Sequence, residues 1–173
     1  MSAPAPQQPA ISPLVRAALR VADLARSRKF YAALGFTEVY FEGALDADVV
    51  PALLGVEHAA RTRCAIVKTP GQPNFGMVGL FHVDEARPLE RPSAGSGFQI
   101  GEVALVFYVA DIESSLTTAL MHGGTRVSGP LQLVMPHRAQ PEAMLRDPDG
   151  VLINLVERPP VETFGYEPVR LPG

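Results

Sequence analysis

The chain contains one module twice. Residues 16–39 read RAALRVADLARSRKFYAALGFTEV and residues 104–127 read ALVFYVADIESSLTTALMHGGTRV, superposed without gaps at an offset of 127 − 39 = 88. The superposition lays Val21-Ala22-Asp23 on Val109-Ala110-Asp111 and Gly35 on Gly123. A single recurrence over this distance is not a solenoid unit; it specifies two copies of one supersecondary module. Each copy runs from a strand-like stretch to an aspartate suited to cap a helix, then a helical stretch, then a glycine suited to end it.

In the first copy the residues predict a strand over Leu14–Val21, a helix over Leu24–Leu34 capped by Asp23 and ended by Gly35, and a strand over Thr37–Phe41. A short helical insertion over Asp46–Leu54 follows, with Asp46 as its cap. Strands Arg63–Lys68 and Met77–His82 flank the turn-rich Thr69-Pro70-Gly71-Gln72-Pro73-Asn74. The second copy predicts strand Glu102–Val109, helix Ile112–His122 capped by Asp111, and strands Arg126–Val134, Glu142–Arg146 and Val151–Glu157. Ile112, Leu116, Ala119 and Leu120 give that helix one apolar face. The expected organisation is α+β: a disordered leader over 1–12, a βαβββ module over 13–83, a linker over 84–101, a second βαβββ module over 102–158 and a proline-rich tail over 159–173.

Composition bounds the function classes. With 173 residues, 47% of them hydrophobic, the chain buries a real core. A net charge of −3 argues against a nucleic-acid surface, which requires a clustered basic patch. No apolar run approaches the about 18 residues of a membrane span, and MSAPAPQQPAISP lacks the charged and apolar regions of a secretory signal. The lone cysteine, Cys64, precludes an internal disulfide and fits a reducing cytoplasm. Within Arg63-Cys64-Ala65-Ile66-Val67 it reads as a buried small apolar residue rather than a nucleophile.

Alternation gives each first strand two faces. Ala17, Leu19 and Val21, like Leu105, Phe107 and Val109, form an apolar face expected beneath the helices. The opposite face carries Arg16, Ala18 and Arg20 in copy one and Ala104, Val106 and Tyr108 in copy two. Two arginines and a tyrosine do not make dry core; that face is expected to line a cleft.

Three stretches carry a family resemblance: Ala18-Leu19-Arg20-Val21-Ala22-Asp23-Leu24, Phe30-Tyr31-Ala32-Ala33-Leu34-Gly35-Phe36, and Arg146-Asp147-Pro148-Asp149-Gly150-Val151-Leu152-Ile153-Asn154-Leu155. With the repeat, residues 13–157 resemble the vicinal oxygen chelate superfamily, which includes glyoxalase I, extradiol dioxygenases, methylmalonyl-CoA epimerase and the bleomycin and fosfomycin resistance proteins. The resemblance implies the glyoxalase/bleomycin-resistance/dioxygenase fold, with two βαβββ modules forming a cleft-bearing curved sheet. Several of the matching residues also have purely structural roles. Asp147-Pro148-Asp149-Gly150 has the residues of a type I turn, Phe30-Tyr31 packs helix on sheet, and Asp23 and Asp111 are caps.

In that superfamily the first and last strands of each module supply two inward metal ligands, usually His or Gln and Glu. Carried onto this chain, the four places are Arg16, Gly79, Ala104 and Asn154. Glycine and alanine offer no donor, asparagine is a weak single ligand, and a guanidinium has five donors, no acceptor and a permanent charge. The resemblance therefore implies a scaffold without its usual metal and with no cofactor. A one-residue slip in register would instead bring in Glu102 or Glu157. Arg16 is open to two readings: a cationic fork holding a carboxylate, phosphate or enolate oxygen, or a rim residue paired with local acids. Arg20 reads more as the second. Tyr108 and Asn154 complete the candidate binding set. The four histidines lack metal-ligand spacing, and His82 and His137 are candidate bases only if folding brings them to the cleft.

The leading expectation is a metal-independent protein that binds a small, possibly anionic organic molecule in the cleft. The alternative is a lyase, isomerase or epimerase using Arg16 as electrophile, and a third reading is a pseudo-enzyme acting through protein partners. A homodimer is expected, since modules in this superfamily pair within one chain or swap between two.

Overall fold

The computed structural model describes residues 12–45, 49–55, 61–84, 97–135 and 138–158, with the backbone alone at Arg138. The chain divides into two compact units, Met1–Leu89 and Glu90–Gly173. The first contains β1 (Arg16–Arg20), α1 (Leu24–Ala33), β2 (Glu38–Ala44), α2 (Val49–Leu54), β3 (Thr62–Lys68) and β4 (Met77–Val83). The second contains β5 (Ala104–Val109), α3 (Ile112–Met121), β6 (Thr125–Met135), β7 (Arg138–Arg146) and β8 (Leu152–Glu157). Each unit is one four-stranded sheet, ordered β1-β4-β3-β2 in the first and β5-β8-β7-β6 in the second. In both, the first and last strands pair in parallel and the other pairs are antiparallel. The fold is α+β, as expected.

The repeated residues do the same physical work in both units. Asp23 Oδ1 accepts the Arg26 amide at 3.0 Å and Asp111 Oδ1 accepts the Ser114 amide at 2.7 Å, each satisfying a donor the first helical turn leaves unpaired. At the other end Gly35 and Gly123 take φ values of 99° and 96°. The left-handed residue lets the next amide reach back five residues: Phe36 N–H donates to the Tyr31 carbonyl and Gly124 N–H to that of Ala119, both at 3.0 Å. This is the Schellman closure, with glycine where a Cβ is disfavoured.

Each helix buries one stripe on its sheet: Ser27, Phe30 and Tyr31 in α1, and Ile112, Leu116 and Ala119 in α3. Phe30 and Tyr31 meet edge-to-face at 5.2 Å, and Tyr31 meets Phe36 in the same way at 6.0 Å. Beneath the helices lie fully buried Ala65, Val67, Val78 and Leu80 in the first unit and Leu145, Ile153 and Leu155 in the second.

Three sequence expectations shift. The short insertion is helical over Val49–Leu54, and its expected cap Asp46 lies outside the described residues. The strand expected over Glu142–Arg146 begins at Arg138. The added stretch contains Pro141, and proline removes a ladder donor. However, β8 pairs with β7 only from Glu142 onward, so at Pro141 the strand has a partner on one side alone, in β6. Proline is tolerated at such an edge. Finally, β6 continues through Gly129-Pro130, with pairing irregularities on both sides of Ser128.

Candidate functional site

On β1 the alternation is as expected. Arg16, Ala18 and Arg20 are exposed while Ala17 and Leu19 are partly covered, and on β5 Val106 and Tyr108 are exposed. The face away from the helix is the open face in each unit. The parallel ladders place Gly79 and Asn154 on it. Ala18 pairs with Gly79 in the first unit and Val106 pairs with Asn154 in the second. Since 106 − 18 = 88 is the repeat offset, Gly79 and Asn154 occupy one equivalent position, although they lie only 154 − 79 = 75 residues apart. The second unit is shorter between its first and last strands by the difference.

At Gly79 the space for a ligating side chain is already occupied. A Cβ there would lie 2.9 Å from the Phe81 ring and 3.3 Å from Arg16 Cδ. The Arg16 stem therefore runs over Gly79. Phe81 in turn packs on a buried cluster of Cys64, Ile66 and Met77, joined by Leu45. Burial pushes the Cys64 thiol above its ordinary value, against an opposing pull from Arg16. Cys64 is thus a protonated core residue beneath the arginine. Neither Arg16 nor Arg20 has an ion-pair partner among the described residues.

The second unit builds its open face from polar groups that the sequence reading missed. Asn154 Nδ2 donates to Glu142 Oε2 at 2.8 Å, and Gln140 Nε2 donates to the other carboxylate oxygen at 2.6 Å. Gln140 is 2% exposed. The carbonyl oxygens of both amides, Asn154 Oδ1 and Gln140 Oε1, are buried and accept nothing from the described residues. Alternation from Gln140 to Glu142, across the register Met144↔Asn154, puts the three side chains on one face. The available signal was the Gln-x-Glu spacing around Pro141.

The remaining candidates have structural roles. Tyr108 lies under the Arg158 guanidinium, 5.6 Å from the ring centroid. Glu102 is paired with buried Arg146, whose Nη1 and Nη2 reach its two carboxylate oxygens at 2.5 and 3.2 Å. Glu157 Oε2 accepts the Ile112 amide at 2.9 Å at the start of α3. Neither glutamate is spare for a ligand set in a slipped register. His82 sits between the Val21 carbonyl and the Asp84 carboxylate, both at 3.3 Å, so both ring nitrogens are engaged. His122 is bound to the Thr118 carbonyl at 2.8 Å at the end of α3, and His58 and His137 lie outside the described residues. Asp147 Oδ1 accepts the amides of Asp149 and Val151 at 2.9 and 2.8 Å, so that carboxylate shapes the turn before β8. Among the described residues no three His, Cys, Asp or Glu side chains converge on a metal position, and no helix is long and apolar enough to cross a membrane.

Comparison with curated proteins finds no match. Among solved structures, the glyoxalase family protein APC24694 from Bacillus cereus is 17% identical, with 90% of this chain and 98% of that one covered and a TM-score of 0.69. A glyoxalase/dioxygenase from Nostoc punctiforme is 19% identical over 92% and 100% of the two chains, at a TM-score of 0.57. The trypanothione-dependent glyoxalase I of Leishmania major is 16% identical over 85% and 87%, at 0.58. Identities this low speak for the fold alone. The sequence profile of the glyoxalase/bleomycin resistance protein/dioxygenase superfamily matches residues 14–155. With the doubled module, the parallel first and last strands and the equivalent positions of Gly79 and Asn154, the chain belongs to that superfamily.

Proposed function

We propose that this protein is a metal-independent member of its superfamily that binds a small organic anion through Arg16. The observation that carries this reading is the fate of the ligand position at Gly79, which Phe81 and the Arg16 stem occupy while the guanidinium has no acidic partner among the described residues. A desolvated metal cage needs acceptor atoms, whereas Arg16, Gly79, Ala104 and Asn154 offer a fixed cation and one amide. An unpaired guanidinium over an apolar floor suits a planar carboxylate or enolate, held by two parallel N–H donors while the floor takes the ligand's carbon skeleton. Arg20, four residues on and on the same face, adds positive potential that favours the same charge sign.

Binding without turnover requires no nucleophile and no base. Elemental analysis of tag-free protein is expected to find far less than one transition metal per chain, and a stoichiometric metal would overturn the metal-independent reading. Titration with benzoate is expected to show saturable binding that Arg16→Ala weakens about tenfold, the loss of a charge-assisted pair. Unchanged affinity in that variant would remove Arg16 from the site. A homodimer is part of the same proposal, checked by light scattering on the full chain.

A further inference from the structure

We propose that Glu142, held by Gln140 and Asn154, is an acceptor-only subsite that takes the cationic N–H donor end of a small ligand, a primary ammonium or an amidinium. The inference deepens the small-molecule reading above and rests on it. Each oxygen of the Glu142 carboxylate accepts one amide N–H, from Gln140 at 2.6 Å and from Asn154 at 2.8 Å. A carboxylate oxygen has a second lone pair, so the group can accept more. Because both amides spend their donor ends on Glu142, both must turn their carbonyl ends elsewhere. Those two oxygens are buried and have no partner among the described residues. Gln140, at 2% exposure, forms the floor of this arrangement, while Glu142 and Asn154 remain partly exposed.

Charge points the same way. Glu142 has no ion-pair partner among the described residues. The buried guanidinium on the same face of β7, Arg146, is engaged with Glu102 and also donates to the Gly150 carbonyl at 2.9 Å. The cluster therefore carries one carboxylate and two amide carbonyl oxygens that accept no hydrogen bond from the described residues. Burying acceptors unpaired is costly, and the cost is relieved by a group that brings only donors. Ammonium and amidinium groups do so: they have several N–H donors, no acceptor, and the opposite charge. A ligand carrying an acceptor there would meet lone pair against lone pair.

Amide-detected NMR titration of the full chain with benzamidine, alongside benzoate, tests this. Benzamidine is expected to shift the β7 and β8 amides around Glu142 and Asn154, and Glu142→Gln is expected to weaken it about tenfold while leaving benzoate binding unchanged. Asn154→Asp retains a side chain of the same size and adds a second carboxylate, so it is expected to tighten benzamidine. That gain is one a purely structural role for the cluster does not produce. Benzamidine shifts elsewhere, or equal affinity in wild type, Glu142→Gln and Asn154→Asp, would overturn the subsite while leaving anion binding at Arg16 standing. So would displacement of benzamidine by millimolar Mg2+ or Ca2+, or a fixed water bridging the amide oxygens that persists at saturating benzamidine. Loss of benzoate binding alone would sink the anion reading instead.

Discussion

Arg146 and Glu102 illustrate how a single residue can look like chemistry and serve architecture. Glu102 lies just before β5, close enough in sequence to a ligand position to be a candidate donor. Its carboxylate is clamped by a guanidinium that is 3% exposed and also holds the Gly150 carbonyl. Removing one member of a buried pair leaves the other charge desolvated. Glu102→Ala is therefore expected to lower stability by about 3 kcal/mol, read from the urea midpoint at constant slope. Replacing the pair by apolar residues of matching volume is expected to cost far less. Gly129 is a second decisive residue. A Cβ there would sit 2.5 Å from the Glu142 carbonyl oxygen and 2.8 Å from Ala143 Cα, with φ at +83°. Both neighbours are backbone and cannot swing away, so Gly129→Ala is expected to destabilise by at least about 2 kcal/mol. By contrast, a Cβ at Gly79 meets mainly the movable Phe81 ring and Arg16 stem. Gly79→Ala is expected to cost about 1 kcal/mol, with Phe81 displaced in a crystal structure.

At the scale of elements, the caps behave as local signals should. The Arg26 amide donating to Asp23, first among its surroundings, holds that carboxyl below its ordinary value of 3.8. A depressed folded-state pKa means the unfolded chain takes up the proton first as pH falls. The stabilisation is thus complete above the ordinary value and lost as pH drops through the folded one. Asp23→Asn retains the acceptor, so it is expected to preserve the cap while abolishing this part of the acid dependence, followed by the amide shift of Arg26 against pH. At the equivalent cap, Asp111→Ala is expected to cost about 1 kcal/mol, measured by thermal unfolding.

Strand β7 shows where element-level reading fails. Pro141 is a sound breaker in a strand paired on both sides, but here the pairing with β8 has not yet begun. A proline's meaning depends on its neighbours across the sheet, which no single segment carries. The strand expected from the sequence begins at Glu142 and so leaves Gln140 outside it, whereas β7 starts at Arg138. The pairing of Gln140 and Asn154 with Glu142 depends on strand register, which the chain alone does not carry.

At the scale of the whole molecule, two units share one connectivity and differ in what they place on the open face. The first offers a cation over an apolar floor of Phe81, Met77 and Ile66. The second offers the carboxylate of Glu142 with two amides. The metal-independent reading proposed above rests on Gly79 and Ala104 offering no donor to a divalent cation. Adding Zn2+, Mn2+ or Ni2+, or chelating with EDTA, is expected to leave the unfolding temperature unchanged, because a ion with no preferred folded site contributes no linkage stabilisation. A metal-dependent rise would identify a donor set not considered above.

The sequence by itself determined the doubled module, the α+β class and the capped and glycine-stopped helices. These rest on signals written within a few neighbouring residues: alternation, cap chemistry, a positive φ, a repeat offset. Only the tertiary structure decided that Phe81 and the Arg16 stem fill the position at Gly79, that Glu102 belongs to Arg146, and that Glu142 is gripped by two amides whose oxygens are left over. Those facts join residues as far apart as 102 and 146. Sequence spacing does not encode such a meeting; strand register and burial do.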